Sequence, residues 1–159
     1  MVVRVRVPSG AQQIVLIMIT EDYVSFETSQ LLKEKGFDVP VYRGISINNL
    51  IITKEKPEDF NNKISAYYSQ PTLQMAMKWL RKCHNLHCVI RYDFRLGWNN
   101  KITSLKETII DHDIEMKTYL TNKGINYSSY EEACEDAIRH CLKELIWINN
   151  KYYVLCNTK

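Results

Sequence analysis

The sequence lacks any long apolar run. Spanning a bilayer takes about 20 consecutive apolar residues, but the most apolar run, residues 14–19 (IVLIMI), has only the length of a β-strand. Glu21 and Asp22 follow closely and no small-residue cleavage pattern is present, so a secretory signal is not predicted either. We therefore expect a soluble, cytoplasmic protein with no membrane partner.

A disulfide framework is also missing. The cysteines, at positions 83, 88, 134, 141 and 156, are odd in number and lack the spacing of such a framework. At least four of them fall on faces that the sequence predicts to be buried, which favours reduced thiols in a reducing cytoplasm.

The chain has little excess of either charge. Its 21 Lys and Arg against 18 Asp and Glu give a net charge of +3. Residues 1–17 contain two arginines and no acids, so leaving them out gives 19 against 18, or +1. Net charge therefore neither indicates nor excludes a nucleic-acid partner.

Motifs that specify a reaction are absent. No nucleophile with a positioned partner, no glycine-rich phosphate loop and no cofactor fingerprint can be found. We therefore expect a protein that is not an enzyme, with no catalytic, cofactor-binding or metal-binding residues and no cofactor.

What is present fits one ordinary domain, since 159 residues with 45% hydrophobic and 25% charged residues lie near globular averages. We divide the chain into residues 1–17, a non-native extension, residues 18–62, an amino-terminal helix with an extended arm, and residues 63–159, an α+β core.

Residues 5–11 (VRVPSGA) resemble a translated T-arm of a transfer-RNA gene, which predicts that Met18 is the native initiator. The alternative is a genuine β-strand over residues 12–20.

The most informative stretch is residues 69–96. Pro71 after a polar cap, Ser69 or Gln70, predicts a helix over 71–84. Its apolar residues recur at spacings of three and four, namely Leu73, Ala76, Met77, Leu80 and Cys83, with Trp79 at the edge. After Asn85 the period becomes two, which predicts a strand with one covered face, formed by Cys88, Ile90, Tyr92, Phe94 and Leu96.

Further elements complete the predicted fold. Ser25 caps a short helix over 26–35 that Gly36 ends, and residues 41–53 form one or two strands or an arm. Residues 54–62 (KEKPEDFNN) are predicted to be a loop, and Gly97 with Asn99–Asn100 a turn that closes a hairpin over 86–110.

A second long helix is predicted near the carboxyl end of the chain. Ser129 and Glu132 form a capping box that opens a helix over 129–148, and a further strand over 113–120 is possible. The fold class is therefore α+β, with the two main helices packed on one face of a small antiparallel sheet.

Three segments carry a family resemblance: residues 23–37, 69–90 and 127–146. Their most specific marks are Pro71-Thr72, Trp79-Leu80-Arg81, His84-Asn85 and Tyr130-Glu131-Glu132-Ala133. The chain resembles a family of small uncharacterised proteins abundant in gut Bacteroides-type bacteria and in their phages and prophages. The resemblance implies a shared fold and a mobile-element setting, and it transfers no catalytic residues because the family has no assigned activity. The cysteines at 83, 88 and 134 depart from the family pattern.

Two clusters invite a metal or catalytic interpretation. Residues 83–88 (CHNLHC) hold two cysteines and two histidines, four potential ligands for a soft metal. Side chains of adjacent residues at a helix end or on a strand point in different directions, so the four cannot converge on one ion. This geometry favours two cysteines in the core and two histidines on the polar face. Asp111, His112, Asp113 and Glu115 contain a carboxylate–histidine pairing without a nucleophile, which is typical of a solvated loop.

A third candidate is basic. Residues 78–106 carry seven basic residues against Asp93, a local charge of +6, with Trp98 as a possible stacking surface. The predicted nucleic-acid contacts are Lys78, Arg81, Lys82, Arg91, Arg95, Trp98 and Lys101. The alternative is a solvated surface whose positive charge is offset by the acidic residues in the first turn of the helix that Ser129 opens.

The leading hypothesis is a small accessory protein of a phage or integrated element that acts by protein–protein binding. The alternative is a nucleic-acid-binding module that uses the basic 78–106 surface. Contiguous positive potential on the exposed face of the strand would favour nucleic acid, whereas an exposed apolar patch there would favour a protein partner.

Overall fold

The computed structural model describes residues 2–4, 16–18, 20–63, 66–107, 114–119 and 126–146, with side chains in 20–63, 66–104 and 126–146. The elements are, in chain order, β1 (Val2–Arg4), β2 (Leu16–Met18), α1 (Phe26–Glu34), β3 (Val41–Ser46), β4 (Ile51–Glu58), α2 (Phe60–Lys63), β5 (Tyr67–Ser69), α3 (Leu73–His84), β6 (Leu86–Asp93), β7 (Gly97–Glu107), β8 (Ile114–Tyr119), α4 (Tyr130–His140) and a π-helix (Cys141–Leu145).

The α+β class is confirmed, but the described strands form three antiparallel sheets rather than one. The predicted hairpin and third strand are the β6-β7-β8 sheet, and β1 pairs with β2. A further sheet has the strand order β4-β3-β5. Of the alternatives predicted for residues 41–53, β3 and β4 confirm two strands rather than an extended arm. The loop prediction for 54–62 is wrong, because β4 runs to Glu58 and α2 follows. Pro57 is tolerated there since β4 is an edge strand.

Helix α3 begins later than predicted. Thr72 is its N-cap and accepts a hydrogen bond from Met75 N at 3.2 Å, so Ser69 and Gln70 are not the cap. The delay has a tertiary cause, because Pro71 O accepts from Val24 N and Leu73 N donates to Asp22 O, which holds the chain extended up to the cap. Asn85 ends the helix in the left-handed conformation, as predicted.

The β6–β7 turn also differs from the prediction. Strand β6 ends at Asp93, residues 94–96 form the turn, and Gly97, at φ +88°, begins β7. Asn99 and Asn100 therefore lie within a strand, and the buried Asn100 donates from Nδ2 to Ala133 O at 2.9 Å. The predicted Asn–Asn turn is wrong because this asparagine serves packing between β7 and α4.

Helix α4 starts as predicted and ends early. Ser129 Oγ accepts from Glu132 N at 3.1 Å, and the Glu132 carboxylate accepts from the backbone and hydroxyl of Ser128. After His140 the α-helix gives way to the π-helix, whose Ile146 N donates to Cys141 O. The predicted continuation over residues 147–148 lies outside the described residues.

One buried cluster joins the elements. It includes residues before position 63, such as Val24, Leu32 and Phe37, together with Leu80 of α3 and Ile138 of α4. Within the β6-β7-β8 sheet, the side chains that enter this core are those of Leu86, Cys88, Ile90 and Ile102. Because strand residues alternate, the intervening positions of β6 and β7 face away from the helices. The helices therefore cover one face of this sheet.

Among the described residues, no helix has the length and apolar character needed to cross a membrane. The status of residues 1–17 as a non-native extension stays a prediction, as does the predicted boundary between residues 62 and 63.

Candidate functional site

The turn between β6 and β7 is fixed by its own hydrogen bonds. Asp93 Oδ1 accepts from Arg95 N at 2.8 Å and from Leu96 N at 3.2 Å, and Leu96 N also donates to Asp93 O. Side-chain capping of this kind gives a short turn a single conformation. Phe94, Arg95 and Leu96 are therefore held outward on a defined loop.

Three aromatic rings continue from this turn toward α4. Tyr92 pairs with Trp98 across the hairpin, with ring centroids 5.1 Å apart, and Trp98 packs against Tyr130 at 5.3 Å. Both contacts are edge-to-face, the arrangement that aromatic quadrupoles favour. Gln74 of α3 donates to the Tyr130 hydroxyl at 2.9 Å, and partial burial raises the pKa of Tyr130 above its usual value of 10.0.

The hairpin is anchored to the body of the protein at Trp98. The backbone of Tyr127, just before α4, donates to Trp98 O at 2.8 Å and accepts from Trp98 N at 3.3 Å. A Cβ on Gly97 would lie 3.3 Å from Tyr127 O, so this close approach favours glycine there. The tip is thus an extension of a rigid scaffold.

The tip exposes large apolar side chains. Tyr92, Phe94 and Leu96 have 63%, 79% and 59% of their surface exposed. All three were predicted to lie on the covered face of the strand. Tyr92 does share a face with Ile90, although it is exposed, whereas the prediction is wrong for Phe94 and Leu96 because the strand ends at Asp93 and both lie in the turn. Asp93 with Gly97 is the sequence signal that could have located the turn. We call Tyr92, Phe94, Arg95 and Leu96 the hairpin tip.

A second exposed apolar set lies at the β3–β4 turn and consists of Ile47, Leu50 and Ile51. Tyr42, also exposed, lies near the start of β3, away from this turn. The turn is closed by Ser46, whose N donates to Leu50 O and whose Oγ accepts from Leu50 N at 3.2 Å. This set carries no aromatic row and provides a natural comparison for the hairpin tip.

The predicted nucleic-acid contacts do not share one surface. Lys78, Arg81 and Lys82 are exposed on the outer side of α3, in the layer that covers the sheet. Arg91 and Lys101 are on strand positions that face away from that layer, because they alternate with the core residues Ile90 and Ile102.

The other two predicted contacts lie at the tip end of the hairpin. Arg95 lies in the turn, with its guanidinium 5.0 Å from the Phe94 ring centroid, and Trp98 is packed between two tyrosines. The basic residues that are neighbours in sequence therefore face different directions.

The residues of the 83–88 cluster also diverge. The structure holds Cys83 in a disulfide, so the expectation of a free thiol is wrong for Cys83, whereas Cys88 is a free thiol in contact with the core. His84 packs edge-on against the buried Trp79 at 4.5 Å, and His87 faces the opposite side of the strand from Cys88. Burial, with a further contribution from Lys35, lowers the pKa of His84 below its usual 6.5.

A cavity of about 580 Å³ lies beside the amino-terminal ends of α1 and α4 and is lined by carboxylates. Glu135 accepts from Ser25 N at 3.1 Å and from Ser25 Oγ at 2.6 Å, and also from the Thr28 hydroxyl, so it caps α1 from another helix. Asp136 accepts from the Tyr127 hydroxyl at 2.5 Å. Arg139 lies 3.6 Å from Glu27.

The acids of this cavity act in helix capping and hydrogen bonding between elements. Hydrogen bonds from Ser128 lower the pKa of the exposed Glu132 below its usual value. A smaller cavity of about 250 Å³ adjoins Gln74 and Tyr130. Neither cavity is lined by His84 or His87.

In the part of the chain that the structure describes, no group of three or more His, Cys, Asp or Glu side chains is arranged to hold a metal ion. Asp111, His112 and Asp113 lie outside the described residues, and the Glu115 side chain is not described.

Comparison with known proteins assigns no family. No protein-family model matches the chain, and no solved structure matches it. Over 122 residues the chain is 25% identical to the chloroplastic acetyl-coenzyme A carboxylase carboxyl transferase subunit beta of Nandina domestica. This region covers 74% of the chain and only 23% of that protein, so the chain spans less than a quarter of its length.

Proposed function

We propose that this protein acts without catalysis, as a small accessory protein that binds another protein through the hairpin tip. The observation that carries the proposal is the exposure of Tyr92, Phe94 and Leu96 on a turn whose conformation is fixed by Asp93. The phage or mobile-element setting and the cytoplasmic location that the sequence predicts remain part of the proposal.

The residue types of the tip support a protein partner. Aromatic side chains and arginine are enriched at the energetic centre of protein interfaces, where they fill pockets on the partner. Phe94 and Leu96 supply apolar area, and Arg95, which lies between them in the turn with its guanidinium 5.0 Å from the Phe94 ring centroid, is exposed. Because this cation favours opposite charge, the partner should offer an apolar groove with an acidic side chain at its rim.

A rigid tip also lowers the free-energy cost of binding. A loop that must be ordered on association loses part of its interaction energy to conformational entropy. Here the turn is already closed on Asp93 and the aromatic row connects it to α4. Phe94 can therefore enter a groove without ordering of the backbone that carries it.

A nucleic-acid partner is less well supported. Binding along a phosphate backbone needs cations arranged along one groove. Here Lys78, Arg81 and Lys82 are on the helix layer, and Arg91 faces the opposite way. Glu131, next to Tyr130 at the end of the aromatic row, is exposed and adds negative charge there.

Site-specific photocrosslinking tests this proposal. A photoreactive phenylalanine analogue at position 94 should crosslink to one defined protein in host extract, whereas the same analogue at Ile47 of the comparison turn should not. Treatment with nuclease should leave the adduct intact. Binding of the purified partner should weaken about tenfold or more for Phe94→Ala, the range for loss of an interface anchor, and less for Ile47→Ala.

Other outcomes would reject the proposal. A nuclease-sensitive adduct, with anisotropy titrations of DNA or RNA that weaken steeply with salt, would assign the tip to nucleic acid. Equal crosslinking from positions 94 and 47 would show that exposed apolar side chains react without a specific interface. Circular dichroism of each variant ensures that only folded proteins are compared.

A further inference from the structure

We infer that Cys88 and Cys141 form a reversible disulfide that fastens strand β6 to the carboxyl-terminal end of α4. Their sulfur atoms are 3.8 Å apart, although the residues are 53 positions apart in the chain. Both are free thiols. This inference is independent of the proposed protein-binding function.

The two thiols are already placed for bond formation. At 3.8 Å the sulfur atoms are in van der Waals contact, and closing to a disulfide length of about 2.05 Å requires a shift of less than 2 Å shared between two side chains. Cys141 is the first residue of the π-helix. Such widened turns recur at functional sites and give the local backbone a less regular hydrogen-bond pattern.

The third described free thiol is placed differently. Cys134 precedes Cys141 by seven residues, about 10 Å along a helix axis. Its thiol is buried, and burial raises its pKa to about 11. Cys134 is therefore a control with the same chemistry on the same helix, about two turns from Cys141.

Exposure sets the order of the chemical steps. Cys88 is half-buried and Cys141 fully buried, so a small oxidised thiol such as oxidised glutathione reaches Cys88 first. The Cys88 thiolate attacks one sulfur of that disulfide, which forms a mixed disulfide and releases one glutathione thiolate. Cys141 then loses its proton to solvent and attacks Cys88 Sγ, which releases the second glutathione. The protein loses two electrons and two protons, and oxidised glutathione becomes two reduced glutathione molecules.

The environment of Cys141 makes the second step slow. Contact with Cys88 and burial both raise the pKa of Cys141, so its thiol stays protonated at neutral pH. In a reducing compartment excess reduced thiol keeps the pair open, and the pair closes when a disulfide pool becomes available. Reduction by excess thiol reverses both steps.

Peptide mapping of the full-length protein tests the inference. The folded protein is incubated with oxidised glutathione, alkylated and digested. Trypsin leaves Cys83 and Cys88 together on residues 83–91 and Cys141 on residues 140–143. A second cleavage after Leu86 is therefore needed to separate Cys83 from Cys88.

The expected product joins residues 87–91 to residues 140–143, and the count of alkylatable thiols falls by two. Cys134→Ala should still form this link, whereas Cys141→Ala should stop at the mixed disulfide on Cys88. A link to Cys134, or a mixed disulfide on Cys88 that persists in the wild type, would overturn the inference. Because the decisive measurement uses the wild type, poor folding of a variant does not affect it.

Discussion

At the residue scale, the ring of Phe60 limits which side chain position 44 can carry. Gly44 lies in β3, and the ring of the fully buried Phe60 lies against its backbone, so a Cβ there would meet the ring at 2.6 Å. Cores are packed densely enough that such an overlap forces a shift of the ring or of the strand. Glycine is therefore required at position 44 by contact rather than by backbone conformation.

We expect Gly44→Ala to lower the free energy of unfolding by about 2 kcal/mol, the usual cost of overpacking. In a Phe60→Leu background the same substitution should cost less, because the smaller side chain can withdraw. Urea denaturation of the four proteins of this double-mutant cycle measures the coupling. As a control, Gly36→Ala should be costly through its φ of +82° and should show no coupling to Phe60, since nothing lies within 4 Å.

His84 predicts a pH dependence of stability. Burial, with a further contribution from Lys35, lowers its pKa in the folded protein below 6.5. The unfolded chain then binds a proton first as the pH falls, so stability is fully present above pH 6.5 and is lost as the pH falls from there toward the folded-state pKa. His84→Gln should reduce the difference in unfolding free energy between pH 7.5 and pH 5.5, which urea denaturation at the two pH values measures.

At the scale of elements, a single residue caps each end of α3. Thr72 caps the first turn, and Asn85 adopts φ 55° and ψ 32° at the last. Local sequence rules located the carboxyl end correctly, because the left-handed conformation depends on the residue itself. They misplaced the amino end, because pairing of residues 22–24 with 71–73 decides where the backbone turns helical.

Substitutions at the two ends of α3 should test which residues cap the helix. Thr72→Ala removes the acceptor of Met75 N and should cost about 1 kcal/mol, whereas Ser69→Ala should not change the amide exchange of the first helical turn. At the other end, Asn85→Gly should retain stability and Asn85→Val should lose about 1–2 kcal/mol. Hydrogen exchange resolved by residue measures both; equal effects of Thr72→Ala and Ser69→Ala would contradict the assignment of the cap.

For the whole molecule, Glu135 links the amino-terminal region to the core. Its carboxylate accepts hydrogen bonds from Ser25 and Thr28 across a sequence separation of more than 100 residues, and it completes the amino end of α1. A carboxylate at a helix amino terminus also interacts favourably with the helix dipole. Helix α1 is therefore held at both ends by later parts of the chain, because Lys35 Nζ donates to Ile146 O at 2.6 Å.

We expect Glu135→Gln to destabilise the protein by about 1–2 kcal/mol, since a charge-assisted acceptor is lost. The effect should appear as loss of amide protection in α1, far away in sequence. Glu132→Gln is the matched control on the same helix, because Glu132 contacts only the neighbouring Ser128 and Ser129 in the hydrogen bonds described. Global destabilisation by Glu132→Gln of similar size would show that general loss of charge, not this link, is responsible.

The sequence by itself determined helices α1, α3 and α4, the α+β class and the hairpin that starts after Asn85, because these follow from local periodicity and from residues such as Ser25 and Ser129 that act on their own backbone. Only the tertiary structure decided where Asn100 is buried, that residues 51–58 form an edge strand, and that Tyr92, Phe94 and Leu96 are left exposed. Those outcomes depend on contacts between residues far apart in the chain. An alternating pattern states which residues share a face, whereas the length of the opposing helices decides how much of that face is covered.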